Sequence, residues 1–181
     1  MAFAKPLTGF SPNGPIQDWI IQAFDAEMVG TKLLMYSYTN AAIERAHLAM
    51  IDRGAWSKNV LDRIQTNGAQ AKVHDDLEAR ITAAGNPESD IKLYSPQGGI
   101  MHIKGCVFMG LGIMTCGSFN WTERAQAANY EIAHVTGEPA LVKALSDEFD
   151  RISPLARPEV PFSRRRRERA RRAKLATTIR V

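Results

Sequence analysis

Hydrophobic residues along this chain alternate between helical and extended spacing. Apolar positions three and four residues apart predict amphipathic helices at 15–28, 40–53, 73–84 and 139–152, with a shorter helix at 122–128. Runs of apolar and β-favouring residues predict strands at 31–37, 55–61, 91–94, 101–108, 113–116 and 130–135. Because the two kinds of element alternate, we predict an α/β fold in which helices flank a mixed β-sheet.

Two glycines, Gly110 and Gly112, separate the predicted strands at 101–108 and 113–116. So short a connection predicts a hairpin, and therefore some antiparallel pairing in the sheet. The first 14 residues contain Pro and Gly and show no periodic hydrophobic pattern, so we predict an irregular leader there.

The periodic pattern ends at Ser153, where Pro154, Pro158 and Pro161 interrupt the chain. A run of basic residues follows: Arg164, Arg165, Arg166, Arg167, Arg169, Arg171, Arg172 and Lys174. We therefore expect a domain at 1–152 and a flexible Pro- and Arg-rich tail at 153–181. From residue 151 onward there are eleven Lys and Arg against two Glu, whereas the rest has 12 basic and 17 acidic residues. We expect the tail to bind a polyanion with an affinity that depends strongly on salt concentration. The alternative is that the tail serves only to keep the protein soluble.

The composition limits where the protein works. No window of about 18 apolar residues exists, so no transmembrane segment is expected. The N-terminus lacks the apolar centre of a secretory signal, which favours a cytoplasmic location. The two cysteines, Cys106 and Cys116, are expected to be reduced and buried, and a zinc site formed with His102 is the alternative.

Candidate chemistry is concentrated between residues 99 and 131. His102 and Lys104 lie two residues apart in a predicted strand, so their side chains point to one face. Ser118 and Asn120 have the same spacing just after Gly117, and Glu131 opens the next strand. A phosphodiester needs these residue types: Lys supplies positive charge for phosphate oxygens, Ser and Asn supply directional donors, and His attacks phosphorus or protonates a leaving oxygen.

The order of these residues resembles the phospholipase D superfamily, and within it the small single-motif bacterial endonuclease branch. The similarity extends over roughly residues 10–152. Its segments are Phe10-Ser11-Pro12, Tyr36-Ser37-Tyr38-Thr39, Arg53-Gly54 leading to Asp62, His102-x-Lys104, Gly117-Ser118-x-Asn120-Trp121-Thr122 and Asn129-Tyr130-Glu131.

The resemblance implies a role for each site residue. His102 would be the phosphohistidine nucleophile, while Lys104 and Asn120 hold phosphate oxygens with Ser118 beside them. Glu131 matches the carboxylate that orients the histidine. The family has an Asp where this chain has Met109, and the connection from His102 to Gly117 is one residue longer than usual, which puts the local turn in question.

The function implied is a metal-independent endonuclease or phosphodiesterase that needs no cofactor. Because the chain has one His–Lys set where the reaction needs two, the resemblance implies a homodimer with both copies of His102 facing one another. Nucleic acid is the expected substrate, with DNA favoured over RNA. Two alternatives are a catalytically impaired nucleic-acid-binding relative and a phospholipid phosphodiesterase.

Overall fold

The computed structural model describes residues 5–66 and 68–158. Its strands are β1 (Leu7–Ser11), β2 (Gly30–Met35), β3 (Trp56–Asp62), β4 (Asp90–Tyr94), β5 (Lys104–Phe108), β6 (Ile113–Gly117) and β7 (Glu131–Thr136). Its helices are α1 (Ile16–Ala26), α2 (Ala41–Asp52), α3 (Gly68–Ala84), α4 (Glu123–Ala127) and α5 (Pro139–Ile152). These elements confirm the predicted α/β class.

The strands form one mixed sheet in the order β1-β7-β6-β5-β2-β3-β4. β2, β3 and β4 are parallel, whereas β5, β6, β7 and β1 are each antiparallel to their neighbours. This pattern brings the ends of β2, β3 and β6 to the same edge as the starts of β5 and β7. We call this edge the site edge, and it is marked by Met35, Asp62, Lys104, Gly117 and Glu131.

Helices cover both faces of the sheet. Leu33 and Met35 of β2 belong to the core formed with α1, α2 and α3. Leu34 lies on the opposite face, where it packs with Phe149 of α5. The continuous apolar run of β2 is therefore buried on both sides, as expected of a central strand in an α/β sheet.

The hairpin between β5 and β6 is confirmed, and a buried carboxylate holds its turn. Glu27, directly after α1, is fully buried. It accepts hydrogen bonds from the backbone N–H groups of Gly110 (2.9 Å) and Leu111 (3.2 Å), and from those of Val29 (2.7 Å) and Gly30 (3.0 Å). A Cβ at Gly110 would lie 2.5 Å from Oε1 of Glu27, so only glycine fits here. The turn next to Met109 is thus fixed from α1.

Two predictions about the elements were wrong. The expected irregular leader contains β1, which forms the edge strand beside β7. Only Gly9 and Ser11 of β1 are buried, so an apolar alternation was missing from the sequence. The strand predicted from residue 101 begins at Lys104, because the Met101 amide donates to the Asp62 carboxylate rather than to a neighbouring strand.

Packing continues a few residues beyond α5. A 3-10 turn at Ser153–Leu155 leads to Arg157, whose backbone pairs with Leu93 of β4 through two hydrogen bonds of 2.8 and 3.0 Å. The predicted basic residues, Arg164 to Lys174, lie outside the described residues. Among the helices that the structure describes, none is long and apolar enough to cross a membrane.

Candidate active site

His102 and Lys104 form a direct pair at the site edge. Lys104 is the first residue of β5 and is only 6% exposed, whereas His102 precedes the strand and is exposed. Nζ of Lys104 lies 2.9 Å from Nδ1 of His102 and donates to the His102 carbonyl oxygen at 2.8 Å. The shared face predicted from their spacing is therefore present, although His102 lies outside the strand.

This contact determines where the neutral imidazole carries its proton. A lysine ammonium has donors and no acceptor, so Nδ1 of His102 must accept from Lys104. The proton of the neutral ring then resides on Nε2. To protonate a leaving oxygen through Nε2, the ring must first become an imidazolium, whose Nδ1–H can no longer accept from Lys104. To attack phosphorus through Nε2, the ring must first move its proton to Nδ1 and give up the Lys104 contact.

Opposing charges act on the imidazole. Burial lowers the pKa of His102, and the positive charge of Lys104 lowers it further, whereas the carboxylates of Asp62 and Glu131 oppose this change. Burial also lowers the pKa of Lys104, against the effect of Glu131. The net effect lowers the pKa of His102 and favours the neutral imidazole, which is the form that can act as a nucleophile.

Glu131 and Ser118 also meet at the site edge, but in a different pairing from the expected one. The Ser118 hydroxyl donates to Oε2 of Glu131 at 2.5 Å, and Asn129 donates to Oε1 at 3.1 Å. Among the described contacts, the Glu131 carboxylate forms no hydrogen bond with His102. Its charge reaches the imidazole through space, while its orientation is set by Ser118 and Asn129.

Asn120 lies two residues after Ser118, between β6 and α4. Its side-chain oxygen Oδ1 is buried and accepts no hydrogen bond from any residue that the structure describes. The amide nitrogen is likewise outside the described hydrogen bonds, so it remains able to donate. The structure gives no direct contact between Asn120 and the His102–Lys104 pair.

Tyr36, directly after β2, forms an aromatic wall beside the pair. Its ring meets the His102 imidazole edge-to-face with centroids 4.4 Å apart, and Nζ of Lys104 lies 5.0 Å from the ring centroid. Both contacts favour a fixed orientation of the two catalytic candidates. In the sequence, Tyr36 stood out only as part of the segment Tyr36-Ser37-Tyr38-Thr39 that resembles the phospholipase D superfamily.

Sequence reasoning missed Asp62 as a site residue. It ends β3 on the site edge and is fully buried, and its carboxylate accepts from the Met101 amide at 2.8 Å. The available signal was its place at the end of an apolar strand, within a segment similar to the phospholipase D superfamily.

The zinc alternative is not supported by the positions of its residues. In β5 and β6, Cys106 is opposite Thr115 and Cys116 is opposite Gly105, so the two thiols point to opposite faces of the sheet. Trp121, the residue after Asn120, is buried against Phe24 and packs in the core.

The family model described as cardiolipin synthase, PLD-like domain, matches residues 25–153. The chain belongs to the phospholipase D-like family. The matched residues of this phospholipase D-like chain include all five predicted site residues, namely His102, Lys104, Ser118, Asn120 and Glu131.

Known relatives agree with this membership. Mitochondrial cardiolipin hydrolase of Xenopus tropicalis is 26% identical over 121 residues, which is 67% of this chain and 53% of the relative. The phospholipase D-like chain thus spans about half the length of that relative.

Solved structures show the same fold. The phospholipase D family member Nuc of Salmonella typhimurium matches with a TM-score of 0.73 and 24% identity, covering 86% of this chain and 97% of Nuc. NucT of Helicobacter pylori matches with a TM-score of 0.69 and 18% identity, covering 86% of this chain and all of NucT.

Proposed function

We propose that this protein is a metal-independent phosphodiesterase that hydrolyses nucleic acid, with DNA favoured over RNA, through a phosphohistidine intermediate in a homodimeric site. The observation that carries the proposal is the pairing of Lys104 with His102 at the site edge. A buried ammonium next to an exposed imidazole combines fixed charge for phosphate oxygens with a group that moves protons. A cytoplasmic location is part of the proposal.

The first step uses two imidazoles. The Nε2 lone pair of one His102 attacks phosphorus, and the bond from phosphorus to the leaving oxygen breaks. The partner's His102, protonated on Nε2, gives that proton to the leaving oxygen. Lys104 and the Asn120 amide hold the non-bridging oxygens as negative charge develops on them.

The second step releases the enzyme. The partner's His102, now neutral, takes a proton from water, and the resulting hydroxide attacks phosphorus. The P–N bond then breaks, which restores the imidazole and releases the phosphate product. The two copies of His102 therefore need different protonation states at the start, neutral with a free Nε2 in the nucleophile and imidazolium in the acid. In both states Nδ1 carries a proton and no longer accepts from Lys104.

Two features support a dimer. The chain contains one His–Lys set, whereas the mechanism requires two imidazoles at one phosphorus. In addition, large hydrophobic side chains stand exposed close to the site: Tyr130, next to Glu131, is 92% exposed, and Phe10 is 62% exposed beside β7. Exposed apolar groups next to a polar site are typical of surfaces that a second protein covers.

Nucleic acid is favoured as substrate by the basic run from Arg164 to Lys174, which matches the repeated charge of a polynucleotide. A phospholipid is the second candidate, because the family model and the Xenopus relative carry names of cardiolipin enzymes. Both substrates contain the phosphodiester that the site chemistry requires.

The test is cleavage of plasmid DNA, single-stranded DNA, RNA and cardiolipin vesicles, each with EDTA present. We compare the wild type with His102→Ala and use His134→Ala, an exposed histidine on β7, as the matched control. We expect cutting that survives EDTA, disappears in His102→Ala and persists in His134→Ala. Acid quenching with a radiolabelled substrate should trap labelled protein only when His102 is present.

Other results would change the proposal. Activity on vesicles alone would replace nucleic acid by phospholipid as the substrate. Salt-sensitive DNA binding without cleavage of any substrate would favour a non-catalytic relative. Full activity of a monomer would contradict the two-imidazole mechanism.

A further inference from the structure

Asp62 has an unusual position for an acidic residue. It is fully buried at the end of β3, and its carboxylate accepts four hydrogen bonds. Oδ1 accepts from the backbone amides of Ile64 (2.9 Å) and Gln65 (3.0 Å). Oδ2 accepts from the Ser95 hydroxyl (2.9 Å) and the Met101 amide (2.8 Å). Among the described residues, no basic side chain forms an ion pair with it.

The two bonds to Oδ2 close the segment 95–101 into a loop. Ser95 and Met101 are its two ends, so a single carboxylate oxygen fixes both of them. The loop residues 97–100 between them are exposed. Met101 immediately precedes His102, so the anchor lies one peptide unit from the imidazole-bearing residue.

The other side of His102 is fixed by different contacts. Lys104 donates to the His102 carbonyl oxygen at 2.8 Å, and the Tyr36 amide donates to the Ile103 carbonyl oxygen at 3.0 Å. On the side that enters His102, the backbone is held by the Asp62 contact and by the Met101 side chain, which is buried in the core with Phe149. The Asp62 contact is the hydrogen bond on this side that fixes the backbone amide next to His102.

We propose that Asp62 is a positioning residue for His102, which it serves in two ways: it fixes the backbone entering His102, and its buried charge stabilises the imidazolium. The catalytic consequence rests on the proposed function, whereas the structural consequence does not. A buried carboxylate costs several kcal/mol of desolvation unless donors compensate it. Here four donors do so, and each ties the carboxylate to its own turn or to the loop before His102.

Among residues 5–66 and 68–158, four charged or titratable side chains act on or pack against the imidazole. Asp62 approaches from β3, Glu131 from β7 and Lys104 from β5, and the Tyr36 ring packs from the end of β2. Asp62 and Glu131 raise the pKa of His102, while burial and Lys104 lower it. Removing the negative charge at position 62 should therefore shift the titration of His102 to lower pH.

The experiment compares Asp62→Asn with Ser95→Ala. Asparagine keeps the shape but removes the charge, and its amide nitrogen cannot accept from Met101. Ser95→Ala removes one bond to the same oxygen and leaves the charge. The titration of His102 is followed by NMR of protein with ¹³C-labelled histidine, assigned with His102→Gln, alongside the pH dependence of kcat.

We expect Asp62→Asn to lower the pKa of His102, to move the acidic limb of the pH–rate profile to lower pH, and to reduce kcat at least about tenfold. Ser95→Ala should leave the His102 titration unchanged. An unchanged His102 titration and unchanged kcat in Asp62→Asn would overturn the proposal, as would equal titration shifts in both variants.

A wild-type measurement keeps the proposal testable if Asp62→Asn folds poorly. Hydrogen exchange should protect the Met101 amide, while the amides of the exposed residues Gln97, Gly98 and Ile100 exchange freely. Exchange of the Met101 amide as fast as these three amides would overturn the anchoring role. A different result, retention of activity in His102→Ala, would overturn the proposed function. The NMR and hydrogen-exchange measurements do not depend on that activity.

Discussion

Nζ of Lys104 lies 2.9 Å from Nδ1 of His102, so an ammonium and an imidazole share a hydrogen bond at the start of β5. Because Lys104 lowers the pKa of His102, replacing it with methionine should raise the pKa of His102. Loss of a positive group at the phosphate oxygens should also reduce kcat about 10²–10³-fold. NMR titration and steady-state kinetics on the same preparation test both effects.

The control for Lys104→Met is Lys143→Met, which alters an exposed lysine of α5 paired with Asp147. It should change neither the His102 titration nor kcat. A fall in the pKa of His102 after Lys104→Met would contradict the charge argument, since the neutral side chain cannot repel the imidazolium.

The dimer proposal predicts that a charge at Tyr130 separates the protomers. Tyr130 is 92% exposed beside the site, and glutamate there would leave an uncompensated charge in an apolar contact. We expect Tyr130→Glu to sediment as a monomer and to lose activity in parallel, with recovery at high protein concentration.

Met28→Glu is the matched control for Tyr130→Glu. Met28 is 63% exposed but lies just before β2, at the edge of the sheet opposite the site edge. The Met28→Glu variant should sediment and cleave substrate like the wild type. A fully active monomeric Tyr130→Glu protein would refute the shared site.

The buried carboxylate of Glu27 should stabilise the fold without taking part in the chemistry. In Glu27→Gln one oxygen becomes an amide donor that faces the backbone N–H groups of Gly110 and Leu111. Gly110 keeps its bond to the remaining oxygen, whereas Leu111 loses its acceptor. Leaving one buried donor unsatisfied costs about 1–3 kcal/mol, so the free energy of unfolding should fall by about that amount. Urea denaturation measures this loss.

Asp25→Asn, an exposed change on α1, should leave the urea midpoint unchanged. Because Glu27 lies far from the site edge, kcat of the folded Glu27→Gln protein should stay within about twofold of the wild type. A large loss of kcat in fully folded Glu27→Gln would show that the turn between β5 and β6 affects the position of His102.

His47 should make stability depend on pH. It is fully buried, stacks on Phe24 with centroids 4.5 Å apart and contacts the Ser57 hydroxyl at 2.7 Å through Nε2. Burial lowers the pKa of His47 to about 3, against about 6.5 in an unfolded chain. The unfolded state therefore binds the proton more tightly, and stability is lost as the pH falls below about 6.5.

The expected loss from His47 between pH 7.5 and pH 4.5 is roughly 2–3 kcal/mol. We expect His47→Gln to be less stable than the wild type at pH 7.5 but to show a shallower pH dependence of its urea midpoint. His134→Gln, at an exposed position, should keep the wild-type slope. Equal slopes in wild type and His47→Gln would contradict a buried neutral His47.

Local periodicity determined much of this protein. Residues two apart on an extended segment share a face, so the spacing of His102 and Lys104 was enough to predict that their side chains point to one face. The apolar run of β2 and the glycine pair after β5 were likewise sufficient to predict a strand and a hairpin. These features depend on neighbours within a few residues, where backbone geometry restricts the outcome.

Only the tertiary structure decided which distant groups meet. Asp62 accepts from Met101, 39 residues later, and Thr8 of the unpredicted strand β1 bonds His134, 126 residues later. Glu131 bonds Ser118 and Asn129 in place of the expected His102. Such partners depend on the order of the strands in the sheet and on which buried donors and acceptors find one another. The spacing of residues along the chain specifies neither the strand order nor these pairings.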